Sequence, residues 1–246
     1  MNREPTERLH IDPRFRGPPQ SGNGGYVCGR LAEQATGPVA VRLLAPPPLG
    51  RDLRLDRSEG SLRLLDGASP VAEARSIDPL GLQAPPAPAL EEAREASRSY
   101  AGFAAHPFPG CFVCGPERAD GDGLRIFPGK LPGRELVAAP WTPYPDLADD
   151  HGRVLPEFIW SALDCTGFFA FGPLADGSPA LLGELAARID GEVRAGAPHI
   201  AVGWQIGAEG RKRFAGSALY RADGIPLAVA RATWIVVPRG TAGATR

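Results

Sequence analysis

Asp164 is the side chain whose setting most clearly suggests chemistry. It closes the run Leu155-Pro156-Glu157-Phe158-Ile159-Trp160-Ser161-Ala162-Leu163-Asp164, and the segment stays apolar on nearly all sides out to Phe171. A helix with no polar face is a buried helix. A carboxylate in its middle must be hydrogen-bonded, neutral or turned to a cavity, because burying it unpaired is costly. Apolar surroundings also raise its pKa toward that of a useful general base. Asp164 could then activate water, or attack directly, at an electrophilic carbonyl. The structural alternative is an Asp bonded to Ser161, Thr166 or a backbone group.

A second segment repeats this one with complementary losses. Asn23-Gly24-Gly25-Tyr26-Val27-Cys28-Gly29-Arg30-Leu31-Ala32 aligns Tyr26 with Phe158, Val27 with Ile159, Gly29 with Ser161 and Leu31 with Leu163. It has Ala32 where the other copy has Asp164, and it opens on Gly-Gly where the other has Pro156-Glu157. Unpaired N–H groups at a helix N-terminus attract negative charge. Gly24 and Gly25 would let a substrate come close to them, forming an oxyanion hole; alternatively they serve only as a tight turn. Pro156 has no N–H, so the matching place lacks a donor. The expected working site therefore combines Gly24 and Gly25 from one half with Asp164 from the other. Asn23 caps the first helix or bonds the substrate. Tyr26, Trp160 and Thr166 flank these residues as candidates for substrate contact. Glu33 is read as a solvated charge at a helix end.

The repeat continues downstream. Val41-Arg42-Leu43-Leu44 returns as Ala187-Arg188-Ile189-Asp190, and Leu65-Asp66-Gly67 as Ala222-Asp223-Gly224. The Asp-Gly pairs lie between strand-like runs, as hairpin turns do. Each half reads as one buried helix, near 24–35 and 157–171, followed by antiparallel strands. These fall near 38–45, 50–57, 59–66 and 70–77, then 179–190, 198–207, 211–222 and 226–237. Further strand-like runs occupy 123–127 and 135–140. Ser21 and Asn23 are candidate N-caps for the first helix. The Pro- and Ala-rich stretch 78–90 and a charged helix near 91–100 form a crossover too long for an ordinary loop. The halves could join their sheets into one, protecting an edge of each.

The 246 residues carry a net charge of −1, which gives no general attraction to nucleic acid or anionic membrane. No apolar run would span a bilayer, and residues 1–10 lack a signal-peptide core. The expectation is a cytoplasmic protein with reduced cysteines, Cys28 and Cys165 being small core residues. Cys111-x-x-Cys114-Gly115 has zinc-knuckle spacing. Two more ligands are needed, with His106 and His151 as candidates. Because one knuckle alone is a weak signal, the expectation is two packed thiols and no metal.

These residues resemble the hot-dog fold acyl-CoA thioesterases in their tandem form. Asn23-Gly24-Gly25-Tyr26 is similar to the Gly-Gly opening of the hot-dog helix. Cys111-Phe112-Val113-Cys114-Gly115-Pro116 followed by Gly123-Leu124-Arg125-Ile126-Phe127 resembles the segment leading into related domains, and Asp164 falls where they carry a helix carboxylate. The resemblance covers most of residues 12–238. The chain departs from the usual His-Gly-Gly, having Asn23 in one half and Leu155-Pro156-Glu157 in the other.

The resemblance implies an α+β double hot-dog, two antiparallel sheets each wrapped on a central helix and joined as a pseudo-dimer. Residues 1–77 would be the first unit, 78–106 a linker with a short helix, 107–238 the second unit and 239–246 a tail. It implies hydrolysis of an acyl-CoA thioester at one composite site, with no cofactor beyond the coenzyme A of the substrate. Arg211 and Arg213, sharing a strand face, could meet the coenzyme A phosphates or simply be solvated. The chain would be a monomeric pseudo-dimer or a homodimer of it. The rivals are a hot-dog dehydratase or hydratase, for which no His sits at a helix opening, and a non-catalytic acyl-CoA-binding module.

Overall fold

The computed structural model describes residues 7–57, 61–172, 174 and 178–238. The tail 239–246 and the first two residues of the strand expected at 59–66 lie outside this set.

The first half contributes β1 (Arg8–His10), α1 (Gly24–Ala32), β2 (Val39–Leu43), β3 (Asp52–Asp56), β4 (Leu62–Asp66) and β5 (Ser69–Ser76). The second contributes β6 (Gly129–Lys130), β7 (Leu136–Trp141), α3 (Pro156–Phe169), β8 (Ala180–Ile189), β9 (His199–Glu209), β10 (Lys212–Arg221) and β11 (Pro226–Val236), with α2 (Leu90–Arg98) between the halves. The eleven strands form one sheet in the order β1-β3-β4-β5-β2-β8-β11-β10-β9-β7-β6. From its outer edge to the centre, one half runs β1-β3-β4-β5-β2 and the other, inside β6, β7-β9-β10-β11-β8. The seam is the antiparallel pair β2–β8, where Ala40 faces Ala186. The alignment of Val41 with Ala187 makes these two alanines counterparts, so the seam pairs a residue with its own equivalent.

The Asp-Gly turns are hairpins, with Gly67 and Gly224 at φ 60° and 87°, values that favour glycine. The run 123–127 is not a strand. Arg125 has φ 53°, which breaks an extended ladder, and the segment instead donates from Leu124 and Ile126 N–H to the carbonyls of Phe112 and Val113. Strands β1 and β6 were not expected; three and two residues long, they carry too little alternation to be read.

Helices α1 and α3 share one core on one face of the sheet. On the opposite face, α2 and the stretch before it cover the second half through Leu80, Ala93, Ala96, Ile200, Val202 and Tyr220. The stretch from Leu80 through α2 is thus a strap on the sheet, while Tyr100 and His106 turn back to the Cys114 loop and Phe169. The strap explains why β9 alternates between two buried faces, Ala201 to one and Val202 to the other.

Helices α1 and α3 pack backbone to backbone. A Cβ on Gly25 would lie 2.5 Å from Asp164 Cβ and 2.7 Å from the Trp160 carbonyl, and one on Gly29 would lie 2.6 Å from Glu157 Cα. Glycines four apart on one helix face let the two backbones touch. Gly25→Ala and Gly29→Ala should each cost about 1–3 kcal/mol by overpacking, read as a lowered urea midpoint. Gly67→Ala, strained but open to solvent, should not change the α1–α3 contact.

Candidate active site

Asn23 is the N-cap of α1. Its Oδ1 accepts from Tyr26 N–H at 3.0 Å, while its Nδ2 donates to Asp164 Oδ2 at 3.1 Å. The same Oδ2 accepts from Gly25 N–H at 2.8 Å. The carboxylate of one half therefore sits on the helix N-terminus of the other. Asp164 is 1 % exposed, and its Oδ1 has no hydrogen-bond partner. Burial pushes its carboxyl up to about 7, against the pull of the Gly25 N–H, with the Cys111 sulfur adding to the rise.

Asp164 lines a cavity of about 360 Å³. The walls include Asn23, Gly24, Leu43, Phe168, Leu182 and Trp234, so the cavity spans both halves and is mostly apolar. At one end stand His106, Cys111, Cys114 and Cys165. The three sulfurs lie within 4.8 Å of one another, and His106 Nε2 is 3.3 Å from Cys114 Sγ.

The structure disperses several of the sequence-based candidates. Gly24 lines the cavity, but the Gly25 N–H is engaged by Asp164 and is not a free donor. Tyr26, Trp160 and Thr166 are outside the cavity lining. Tyr26 stacks on Phe15 at 4.3 Å and its hydroxyl accepts from Arg30. Trp160 packs at the α1–α3 contact, and Thr166 Oγ1 donates to the Ala162 carbonyl at 2.9 Å. Asp164 bonds neither Ser161 nor Thr166, whose hydroxyls return to carbonyls one turn earlier. Arg211 and Arg213 do not line the cavity either. They sit at the β9–β10 hairpin, with Arg213 bonded to the Gly210 carbonyl, and the Arg211 carbonyl accepts from Val236 N–H next to cavity-lining Ile235 and Val237. His151 is in an exposed turn bonded to Asp149, away from the cysteines. Cys28 is a core residue, its thiol directed at the Val41 carbonyl. Cys165 is not an isolated core thiol, since its sulfur lies 3.9 Å from that of Cys111. The available signal was its position next to Asp164 and one helix away from the Cys111 knuckle.

At the opposite end of the helix pair Ala32 stands at the position equivalent to Asp164, and the carboxylates there, Glu33 and the buried Glu157, lie beside Arg30 instead. Arg30 lies 3.8 Å from Glu33 and 4.0 Å from Glu157. The aromatic rings of Phe15, Tyr26 and Phe158 fill the space beside it.

No protein-family profile matches this chain, and no curated protein matches it. Solved structures do. It is similar to a protein of Novosphingobium aromaticivorans provisionally described as a thioesterase, with a TM-score of 0.60 and 14 % identity over 94 % of this chain and 95 % of that one. It is similar to the tesB protein of Mycobacterium avium subsp. paratuberculosis, with a TM-score of 0.57 and 14 % identity over 94 % and 92 %. A protein of unknown function with a hot-dog fold from Alicyclobacillus acidocaldarius gives a TM-score of 0.57 and 10 % identity over 94 % and 92 %. The likeness runs over nearly the whole of both chains in each case, and at these identities it defines the fold: this is a hot-dog protein. No helix among the described residues is long and apolar enough to cross a membrane.

The raised Asp164 carboxyl has a consequence for stability. An unfolded Asp titrates near ~4, so the folded state favours the protonated form. Its contribution is fully present below about pH 4 and is lost as pH rises through about 7. Asp164→Asn should gain stability relative to the parent between about pH 5 and 8, on the order of 4 kcal/mol at most. Chemical denaturation of both proteins across that range reads the difference; parallel curves would show that Asp164 does not titrate there.

Proposed function

We propose that the chain is a double hot-dog hydrolase of acyl thioesters, with one composite site per chain. The observation that carries the reading is Asp164: a buried carboxylate with one oxygen anchored to the N-terminus of α1 and the other unpartnered, in the wall of an apolar cavity. The 360 Å³ volume and the walls of Phe168, Leu182 and Trp234 suit an acyl group.

The chemistry follows from the two oxygens. Oδ2, held by Gly25 and Asn23, fixes the carboxylate. Oδ1 takes a proton from a water molecule as that water's oxygen bonds to the thioester carbon. Gly24 N–H, at the first position of α1 and on the cavity wall, is assigned to the carbonyl oxygen as it gains charge. The carbon–sulfur bond then breaks, and the thiolate leaves with the proton from Asp164, giving a carboxylic acid and a free thiol. Coenzyme A is the proposed thiol carrier, and Arg211 and Arg213, at a hairpin one strand from the cavity wall, are proposed to meet its phosphates. The site requires no redox cofactor for this reaction.

A second reading is favoured by one observation. Because Gly25 already donates to Asp164, the carboxylate can serve as a clasp between the helices, and the chain would then bind an acyl thioester without cleaving it.

Thiol release measured over a panel of acyl-CoA substrates separates the two. Hydrolysis should be detectable, and Asp164→Asn should lower kcat/KM by about 10²–10⁴, with Glu33→Gln close to the parent. An Asp164→Asn protein that hydrolyses as well as the parent, or a parent that binds acyl-CoA without turnover, would favour the binding module.

A further inference from the structure

We propose that Cys111, Cys114 and Cys165 form a three-thiolate zinc site in the cavity wall, with the fourth coordination position open to the cavity. This reverses the expectation drawn from a single Cys-x-x-Cys, and it stands apart from the thioesterase reading because it concerns metal content alone. The missing ligand is Cys165, which α3 brings to the knuckle from 51 residues beyond Cys114.

The distances suit the metal. Zinc–sulfur bonds of about 2.3 Å in a tetrahedron set sulfurs about 3.8 Å apart. Cys111 and Cys165 are 3.9 Å apart, and all three sulfurs lie within 4.8 Å of one another. The separation is nearly twice a disulfide bond of about 2.05 Å, and any one disulfide would leave a third buried thiol unmatched.

The surroundings place hydrogen-bond donors around the sulfurs. The backbone N–H groups of Val113 and Cys114 aim at the Cys111 sulfur, as they do in a metal knuckle. The loop is closed by Gly115 N–H donating to the Cys111 carbonyl at 2.9 Å. Only glycine fits there, since a Cβ would lie 2.4 Å from the Pro109 carbonyl. Asn23 Nδ2 adds weaker contacts to the sulfurs of Cys111 and Cys165 at 3.9 and 4.0 Å. His106 supports the site from outside. Its Nδ1 accepts from Phe108 N–H at 2.9 Å, so its proton is on Nε2. That proton is directed at Cys114 Sγ. The imidazole thus donates to a thiolate and is not itself a ligand. Soft thiolates select zinc, Cu(I) or iron–sulfur clusters among available metals. A single mononuclear set of three is assigned to zinc.

The test uses full-length protein purified without chelator from zinc-supplemented cells. Elemental analysis should give one zinc per chain, and the native protein should show its cysteines protected from a thiol reagent until a chelator releases the metal. Metal-free protein refilled with Co(II) should show thiolate-to-cobalt charge transfer and the strong visible absorption of a tetrahedral centre. Cys111→Ser, Cys114→Ser and Cys165→Ser should each lose the metal, whereas Cys28→Ala keeps it and His106→Ala binds it about 10–100-fold more weakly. The wild-type thiol and cobalt measurements remain decisive if a serine variant fails to fold. Substoichiometric zinc with no cobalt spectrum, copper or iron in its place, or a disulfide among these cysteines by mass would overturn the proposal. A Co(II) spectrum whose ligand-field bands change to those of a different donor set in His106→Ala would overturn the open fourth position.

Discussion

Everything at the site depends on how closely α1 and α3 approach each other. Gly25 and Gly29 face α3 without side chains, and a methyl group at either would overlap the opposing backbone. That contact places the α3 carboxylate on the N–H groups of α1. A longer separation would leave Asp164 buried with no donor, a state costing several kcal/mol for an ionised group. The helix N-terminus offsets part of this cost, and the residual cost is visible as a carboxyl raised to about 7. Packing and chemistry are therefore one constraint: the glycines that allow the contact also set the proton affinity of the side chain it brings in.

The sheet serves this helix pair. Its β2–β8 seam joins the halves edge to edge, which fixes the rotation of one helix against the other and removes a strand edge from each half. The strap containing α2 covers the far face of the second half. With both faces covered there, the strands under α3 can be apolar on both sides, and the cavity draws its walls from both halves.

Much of this was legible in the sequence. Alternating runs and Asp-Gly turns gave the long strands because their period and turn chemistry are local. The complementary losses in the two helices pointed to Asn23, Gly24, Gly25 and Asp164, which the fold brings together. What local patterning does not carry is the direction of side chains around a helix in a specific packing. Tyr26, Trp160 and Thr166 are near Asp164 in sequence or repeat position, yet they point into helix and sheet contacts away from the cavity. The partner of Gly25 is hidden for a related reason: helix α1 considered alone leaves its N–H free, and α3 supplies the acceptor. Cys165 was hidden in the same way, since its partners are on a loop 54 residues earlier. The run 123–127 looked like a strand because its alternation is regular, but the left-handed Arg125 turns it into a clasp on the Cys111 loop.

Asp164, poised near neutrality by burial at the α1 terminus, is the base in the proposed thioester cleavage. The most direct measurement is the carboxyl titration of Asp164 by ¹³C NMR, set beside the pH dependence of kcat/KM for acyl-CoA hydrolysis by the same protein. The account predicts one shared midpoint near 7, with activity rising as Asp164 ionises. An Asp164 that titrates in the ordinary carboxylate range, or a hydrolysis rate indifferent to its ionisation, would contradict it.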